Sequence, residues 1–309
     1  MVLIHDDPGQ HPLLRPDLPE DLYPKVASLA RWYEQFERVA VSYSGGVDSA
    51  LVAYTARVLL GQEGMIAVVA DSPSLSRREL EEALAFAHRH DIPVRTILTS
   101  EGDDPGYTAN AGDRCYFCKL ELFTVLHGVY DSDGCDAILS GTNLDDTGDY
   151  RPGLQAAREQ QVRSPLLENG FTKEDIRELS RVLGLETWDK PALACLASRI
   201  PHGDQVTSGK LAMIESAEEV LWQERFTVFR VRHHGDLGRI EIGADEMHRF
   251  EDAALRERIF NGVLAAGFSH VELDPEPYRT GRLNEALSDL GTVHDQDANE
   301  QSPGSEATE

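Results

Sequence analysis

The segment VSYSGGVDSALVAY, residues 41–54, is the most specific signal in this chain of 309 residues. A short apolar run ends at Tyr43, two glycines permit a tight turn, and helical periodicity begins near Val47. This order of elements directs backbone N–H groups and the positive end of the helix at one point. The segment therefore predicts an anion site. It contains neither the GK[ST] of a Walker loop nor the GxGxxG of a dinucleotide fold.

The sequence around this segment alternates between strand and helix patterns. Such alternation predicts an α/β fold, a doubly wound parallel sheet with helices on both faces. Ligands of these sheets bind beyond the carboxyl ends of the strands, so the motifs that follow strands are the candidate site. The strand patterns cover residues 39–46, 65–71, 93–98 and 136–143. We expect a loop at residues 115–118 before a helix over residues 118–130, and Thr172 with Asp175 indicates the start of another helix.

A different pattern begins near residue 203, where a helix over residues 209–222, two paired strands, a helix over residues 244–267 and a strand predict a smaller C-terminal α+β domain. We expect this domain to serve substrate binding or oligomerisation. The predicted organisation is an extended arm at 1–20, a nucleotide domain at 21–202, the α+β domain at 203–288 and a disordered acidic tail at 289–309.

The charge balance excludes several classes of function. The chain has 54 acidic and 29 basic residues, a net charge of −25, which argues against binding to duplex nucleic acid and is typical of a surface adapted to high salt. No apolar run approaches the roughly 20 residues that span a bilayer. The N-terminus lacks the pattern of a secretion signal, so we expect a cytoplasmic protein without membrane contact.

The turn contains polar side chains suited to phosphate. Ser44 and Ser49 can donate hydroxyl groups to phosphate oxygens, whereas Asp48 is unusual beside an anion unless it caps the loop or holds Mg²⁺. The alternative is a glycine turn that opens a helix, with Asp48 and Ser49 as ordinary caps.

Four cysteines in such a chain do not form a disulfide framework. Cys115 and Cys118 form a CxxC whose thiols can share a metal, and Cys195 lies in a short apolar run between two prolines. Three thiolates with an open fourth position suit a [4Fe–4S] cluster, while His202 could complete a zinc site. Core packing remains the alternative for each thiol and is our prediction for Cys135.

Residues 44–49, SGGVDS, resemble the PP-loop of the N-type ATP pyrophosphatases. The resemblance implies that the pyrophosphate of ATP lies on this loop and that a substrate oxygen attacks the α-phosphate, which gives an adenylated intermediate. The end of the second strand and the segment LSGTN are then expected to border the nucleotide. The residues expected to bind ATP are Ser44, Gly45, Gly46, Val47, Asp48, Ser49, Asp71, Ser72, Gly141 and Thr142.

Residues 25–285 resemble the LarE family, the ATP-dependent sulfur transferases of nickel-pincer nucleotide biosynthesis. The motifs that carry the resemblance are YSGGVDS, RCYFCK, GTNLDDTGDYRPG, KPALACLASRI and RVRHHGDLGRIEIG. The resemblance implies that a carboxylate of a pyridinium mononucleotide is adenylated and then converted into a thiocarboxylate, with release of AMP and pyrophosphate. It implies Asp48 and Cys195 as catalytic residues.

The family has two sulfur sources. Some members sacrifice the cysteine at the position of Cys195, which leaves dehydroalanine. Others hold, on three cysteines, a [4Fe–4S] cluster whose open iron carries an additional sulfide. Because this sequence has Cys115, Cys118 and Cys195, the resemblance implies the cluster-bearing kind, with sacrifice of Cys195 as the alternative.

Several basic residues near one another in an otherwise acidic chain predict the binding of an anionic mononucleotide. Guanidinium groups suit phosphate and carboxylate, and the alternative is a solvated strand face that pairs with local acids. The expected anion-binding residues are Ser198, Arg199, Arg230 and Arg232.

Three alternative functions are a tRNA-thiolating enzyme, an amide-forming synthetase of the NAD, GMP or asparagine type, and a nucleotide- or metal-binding regulator without turnover. The net charge disfavours the first, and the lack of a glutaminase-length segment disfavours the second. We expect a homo-oligomer that uses ATP and Mg²⁺.

Overall fold

The computed structural model describes residues 11–148, 152–191 and 194–279. Within these ranges the chain forms two compact units, a first unit of residues 11–108 and 113–195 and a second unit of residues 109–112 and 196–279. The sequence predicts a division after residue 202, whereas the chain passes from the first unit to the second between Cys195 and Leu196. The predicted tail at 289–309 and the start of the arm lie outside the described residues.

The first unit contains a four-stranded parallel sheet of order β3-β2-β1-β4. Its chain moves outward from β1 to β3 and then returns to place β4 on the other side of β1, which makes the carboxyl end of β1 the switch point where ligands bind in such sheets. The α/β prediction is confirmed. The strands are β1 (Val39–Ser42), β2 (Met65–Asp71), β3 (Val94–Leu98) and β4 (Ala137–Leu139).

Helices cover the sheet, and α2 follows β1 directly, with most of its residues buried. None of the helices in the described part of the chain is long and apolar enough to cross a membrane. The helices of the first unit are α1 (Tyr23–Tyr33), α2 (Val47–Leu60), α3 (Arg77–Arg89), α4 (Pro105–Thr108), α5 (Arg114–Asp133), α6 (Pro152–Glu159), α7 (Pro165–Glu168) and α8 (Lys173–Val182), with 3₁₀ turns at Glu101–Asp103 and Leu144–Gly148.

The described part of the N-terminal arm contributes to the core of the first unit. Leu13 is fully buried and Leu18 is 8% exposed, and both pack in the same apolar cluster as β1 and α2. The arm is therefore held by burial of its leucines.

The second unit is a three-stranded sheet of order β5-β6-β7 packed with helices. β5 and β6 are antiparallel and β6 and β7 are parallel, which agrees with the predicted α+β pattern. The elements are a 3₁₀ turn at Leu196–Arg199, α9 (Ser208–Gln223), β5 (Phe229–His234), β6 (Leu237–Ile242), a 3₁₀ segment at Ala244–Glu251, α10 (Ala253–Ala265) and β7 (His270–Leu273).

Two helix boundaries differ from the sequence prediction. The CxxC lies inside the first turn of α5 rather than in a loop before it. The helix predicted over residues 244–267 is interrupted at Asp252, whose carboxylate accepts bonds from the backbone N–H groups of Ala254 and Leu255 and so starts a new helix.

Candidate active site

The turn between β1 and α2 has the backbone that its glycines predict. Gly45 has φ of +73°, in the left-handed region, and Gly46 is extended at the N-cap of α2, which begins at Val47. A Cβ atom at Gly45 would lie 2.6 Å from the Cβ of Ala83 on α3. Both the backbone conformation and the approach of α3 therefore require glycine at this position.

The hydroxyl groups of Ser44 and Ser49 form hydrogen bonds within the turn. Ser49 Oγ accepts a bond from the backbone N–H of Ser44 at 3.1 Å, lies 3.1 Å from Ser44 Oγ, and donates to the carbonyl oxygen of Gly46 at 3.2 Å. These bonds fix the shape of the turn, whose backbone N–H groups and helix N-terminus suit an anion.

The carboxylate of Asp48 is paired with a lysine that the sequence prediction missed. Lys173 Nζ lies 2.8 Å from Oδ1 and 2.6 Å from Oδ2, and Asn143 Nδ2 donates to Oδ1 at 3.2 Å. The pair is partly exposed. Asp48 thus makes no side-chain cap bond at the start of α2, and its carboxylate is held by the positive charge of Lys173.

A second lysine, also missed, contacts the same turn. Lys190 Nζ donates to the carbonyl oxygen of Gly45 at 3.3 Å and pairs with Glu82 at 3.1 Å. Two of the five lysines in the chain thus contact the loop. For Lys173 the sequence did contain one indication of such a contact. Lys173 lies in the first turn of α8, where a positive charge interacts unfavourably with the helix dipole unless a negative partner is close.

The segment after β4, which contains the predicted nucleotide-binding residues Gly141 and Thr142, contacts the start of α2. A Cβ atom at Gly141 would lie 2.7 Å from the backbone nitrogen of Ser49 and 3.0 Å from the carbonyl carbon of Asp48. Thr142 Oγ1 lies 3.2 Å from the hydroxyl of Ser140. Glycine is therefore needed at 141 because two backbones touch.

We expect Gly141→Ala to weaken the binding of Mg·ATP by about 10-fold or more, because the added methyl displaces the N-terminus of α2 from the loop. Calorimetric titration measures this effect. Gly128→Ala is the matched control, since Gly128 lies inside α5 with open space around it. That variant should bind ATP normally and gain roughly 0.5–1 kcal/mol of stability. Equal ATP affinity in both variants would contradict a role for this contact in ATP binding.

The end of β2 is fixed by its own polar contacts. Asp71 pairs with Arg77, which also donates to the carbonyl oxygen of Ser72 at 3.1 Å. The hydroxyl of Ser72 donates to Oε1 of Glu101, a carboxylate that is 2% exposed, and accepts a bond from the backbone N–H of Ser74 at 3.0 Å. Asp71 and Ser72 thus hold the shape of the predicted adenosine wall in this structure.

Three of the four thiols influence the same neighbours within the first unit. Burial, followed by the charge of Cys195, raises the pKa of Cys118 to about 12. Burial, followed by Cys195 and Cys118, raises the pKa of Tyr107. Although burial alone lowers it, the charges of Cys195 and Cys115 hold the pKa of Arg114 above its ordinary value. The thiols of Cys115, Cys118 and Cys195 thus act on the pKa of one another or of the same neighbours, Tyr107 and Arg114.

The fourth thiol lies elsewhere. Cys135 is 6% exposed and packs with apolar residues such as Leu126 and Ile138. Its placement in the core agrees with the sequence prediction.

No group of three His, Cys, Asp or Glu side chains within residues 11–148, 152–191 and 194–279 is arranged to hold one metal ion. Ligands of a single ion must all lie within about 2.0–2.6 Å of it. The cysteines of an iron–sulfur cluster bind different irons and do not need to converge on one atom. Mg²⁺ commonly takes one or two carboxylates and completes its shell with phosphates and water. A single carboxylate such as that of Asp48 is therefore enough for a site of this kind.

The four predicted anion-binding residues gather in the second unit. Arg199 forms two bonds with the carboxylate of Glu218, at 2.8 and 2.9 Å, and its Nη1 donates to Ser198 Oγ at 3.2 Å. Arg232 donates to the carbonyl oxygen of Ser198 at 2.9 Å and pairs with Glu241 at 2.7 Å. All three arginines, Arg230 included, are buried.

Arg230 is the cation of this group with the most unfavourable surroundings. Burial, followed by the charge of Arg199, lowers the pKa of its guanidinium. Its charge faces the ring of Tyr278, with 4.8 Å from Cζ to the ring centroid. Among the described residues of the second unit, the buried charges are the guanidinium groups of three arginines and the carboxylates of Glu218, Glu241 and Asp274, and guanidinium groups suit phosphate and carboxylate.

We expect Glu218→Gln to lower the free energy of unfolding of the second unit by about 3–5 kcal/mol, because the buried Arg199 loses its carboxylate. Urea unfolding measures the loss. Glu272→Gln is the control, since the Arg239–Glu272 pair is exposed and contributes below about 1 kcal/mol. Equal stability of the two variants would contradict a structural role for the buried pair.

Comparison with known proteins gives a consistent set of relatives. The family described as NAD synthase matches residues 31–102, which include the β1 turn and β2. An uncharacterized protein of Synechocystis sp. is 42% identical over 265 residues, which cover 85% of this chain and 98% of that protein. The pyridinium-3,5-bisthiocarboxylic acid mononucleotide synthase of Lactiplantibacillus plantarum is 34% identical over 264 residues, 85% of this chain and 95% of that protein. An uncharacterized protein of Methanocaldococcus jannaschii is 28% identical over 245 residues.

Proposed function

Because the chain belongs to the LarE family of PP-loop ATP-dependent sulfur transferases, we propose that it converts a carboxylate of a pyridinium biscarboxylic acid mononucleotide into a thiocarboxylate. AMP and pyrophosphate are the other products. The observation that carries the proposal is that the phosphate loop lies in the same unit as Cys115, Cys118 and Cys195, three thiols that act on shared neighbours. The loop supports the activation of an acid by ATP, and the thiols support the delivery of sulfur.

In the first step, the loop binds the pyrophosphate portion of ATP. Its backbone N–H groups and the positive end of α2 face the phosphates, and Lys173 and Lys190 neutralise phosphate charge at the same turn. Asp48 is the ligand proposed for Mg²⁺, which would neutralise part of the phosphate charge. A carboxylate oxygen of the substrate attacks the α-phosphorus, the bond from that phosphorus to the bridging oxygen breaks, and pyrophosphate leaves with the electron pair.

In the second step, a sulfur nucleophile attacks the activated carboxyl carbon and AMP leaves. Cys115, Cys118 and Cys195 are the proposed ligands of a [4Fe–4S] cluster that supplies the sulfur. Arg114, at the start of α5, lies beside these thiols and compensates their negative charge. The alternative donor is the thiol of Cys195 itself.

We propose that the buried arginines of the second unit bind the anionic groups of the mononucleotide. Burial lowers the pKa of Arg230, while Arg199 and Arg232 are oriented by Glu218 and Glu241. Ser198 is hydrogen-bonded to both Arg199 and Arg232. A phosphate or carboxylate of the substrate suits guanidinium groups, which bind such anions through paired hydrogen bonds.

The test is the release of pyrophosphate on addition of Mg·ATP and the biscarboxylate mononucleotide, together with mass spectrometry of the product. We expect pyrophosphate, AMP and a product in which sulfur replaces one oxygen. Nicotinic acid mononucleotide, which has one ring carboxylate, and unmodified tRNA serve as comparison acceptors. Preferential turnover of tRNA would contradict the proposed substrate class.

The sulfur source is tested on protein purified without oxygen. Iron and acid-labile sulfide, with an unchanged Cys195 peptide after turnover, are the results expected for the cluster. An iron-free protein whose Cys195 peptide loses the elements of H₂S after one turnover would instead identify Cys195 as the donor.

A further inference from the structure

Helix α8 presents two side chains that connect to the phosphate loop. Lys173, its first residue, pairs with Asp48. Arg177, one turn later, reaches a different part of the chain: its Nη1 donates to the carbonyl oxygen of Trp188 at 2.6 Å and its Nη2 to that of Lys190 at 2.8 Å. The guanidinium fork therefore holds the backbone on both sides of residue 189.

The segment that Arg177 holds is the one that carries Lys190. From this backbone the side chain of Lys190 extends to the carbonyl oxygen of Gly45, at 3.3 Å, and to Glu82, at 3.1 Å. A lysine side chain has four rotatable bonds, and holding it in one conformation costs up to about 2 kcal/mol of side-chain conformational entropy. Fixing the backbone from which it starts lowers the number of positions that its ammonium group can take.

We propose that Arg177 is a positioning residue for the ATP-dependent step, which holds the backbone of Trp188–Lys190 so that the ammonium group of Lys190 stays at the phosphate loop. This inference rests on the proposed function only through the use of ATP and is independent of the acceptor. Arg177 touches no reacting group; it acts through Lys190. A lysine in place of Arg177 could bond one carbonyl oxygen well but lacks the rigid fork that spans two.

The experiment measures the dissociation constant of Mg·ATP by calorimetric titration, without an acceptor. The variants are Arg177→Ala, Lys190→Ala and the double variant. We expect each single change to weaken binding by about 10-fold, and the double variant to bind no more weakly than Lys190→Ala alone, because Arg177 has no route to the loop without that lysine. Multiplied effects in the double variant, or normal binding by Arg177→Ala, would overturn the proposal.

Two further variants separate positioning from general damage to the helix. Arg181→Ala removes the next arginine along α8, which pairs with Glu178 at 2.6 Å on the same exposed helix face, and it should bind Mg·ATP normally. Arg177→Lys keeps the charge and should recover part of the affinity that Arg177→Ala loses; it also serves if the alanine variant does not fold. Weakened binding by Arg181→Ala to the same extent would assign the effect to the helix as a whole. Because no mononucleotide is present, failure of the proposed substrate leaves these measurements unaffected.

Discussion

Asp48→Ala is expected to lower the rate of pyrophosphate release by roughly 100-fold to 1,000-fold, the range typical of a lost charged group at the centre of charge development. Asp48 is the carboxylate that stands beside the phosphate loop, where Lys173 and Asn143 orient it. Without it, Lys173 has no partner of opposite charge at this position, and the proposed Mg²⁺ has no protein carboxylate. Single-turnover release of pyrophosphate is the measurement.

Two companion variants define what Asp48 does. Asp48→Asn keeps the size of the side chain and a bond to Lys173 but removes the charge, so a role in holding Mg²⁺ predicts a loss close to that of alanine and a shifted Mg²⁺ dependence. Lys173→Ala removes the partner and leaves the carboxylate, so it should retain more activity than either. If Asp48→Ala releases pyrophosphate at nearly the normal rate, the loop does not work as assigned.

Cys195→Ala is expected to stop thiolation while pyrophosphate release continues at close to the normal rate. The two steps use different groups: adenylation depends on the β1 turn and its lysines, and sulfur transfer depends on the thiols. The measurement follows pyrophosphate and the thiocarboxylate product in the same reaction. Normal thiolation by Cys195→Ala would remove Cys195 from both hypotheses of the sulfur source.

The other cysteines distinguish these hypotheses. A cluster held by three thiolates predicts that Cys115→Ala and Cys118→Ala also lose thiolation and iron, whereas sacrifice of Cys195 predicts that both variants complete one turnover. Cys135→Ala is the matched control, because Cys135 packs in the core of the first unit and should keep thiolation at the cost of a small loss of stability.

The sequence predicted those parts of the structure that local patterns specify. The strand predicted over residues 65–71 is β2 with the same bounds. The start signal of α8, Thr172 with Asp175, is a complete capping box in which each side chain bonds the other residue's backbone N–H. The turn at Gly45 and Gly46 also follows from local requirements, because glycine adopts the left-handed backbone at position 45 without the steric cost that a side chain adds.

Contacts between distant segments were not predictable in this way. Lys173 and Lys190 reach Asp48 and Gly45 across 125 and 145 positions of the sequence, and no local pattern relates such positions. The break in the helix at Asp252 was missed for a different reason. The residues on both sides of Asp252 have a helical pattern, and the N-cap bonds that start α10 depend on one rotamer of the Asp252 side chain. The buried pairing of Arg199 with Glu218 likewise depends on packing.

The contact between Gly45 and Ala83 shows that the conformation of the loop depends on a residue outside the six residues SGGVDS. The α3 backbone comes so close to the turn that a Cβ atom at Gly45 would meet both the Cβ and the Cα of Ala83, at 2.6 and 3.1 Å. Ala83 is 1% exposed, so a bulkier side chain there would have to displace either the turn or the helix. Transplanting SGGVDS into another scaffold would thus fail unless a small residue came with it on a neighbouring helix. The sequence signature of the loop therefore includes one further position, Ala83, which lies outside residues 44–49.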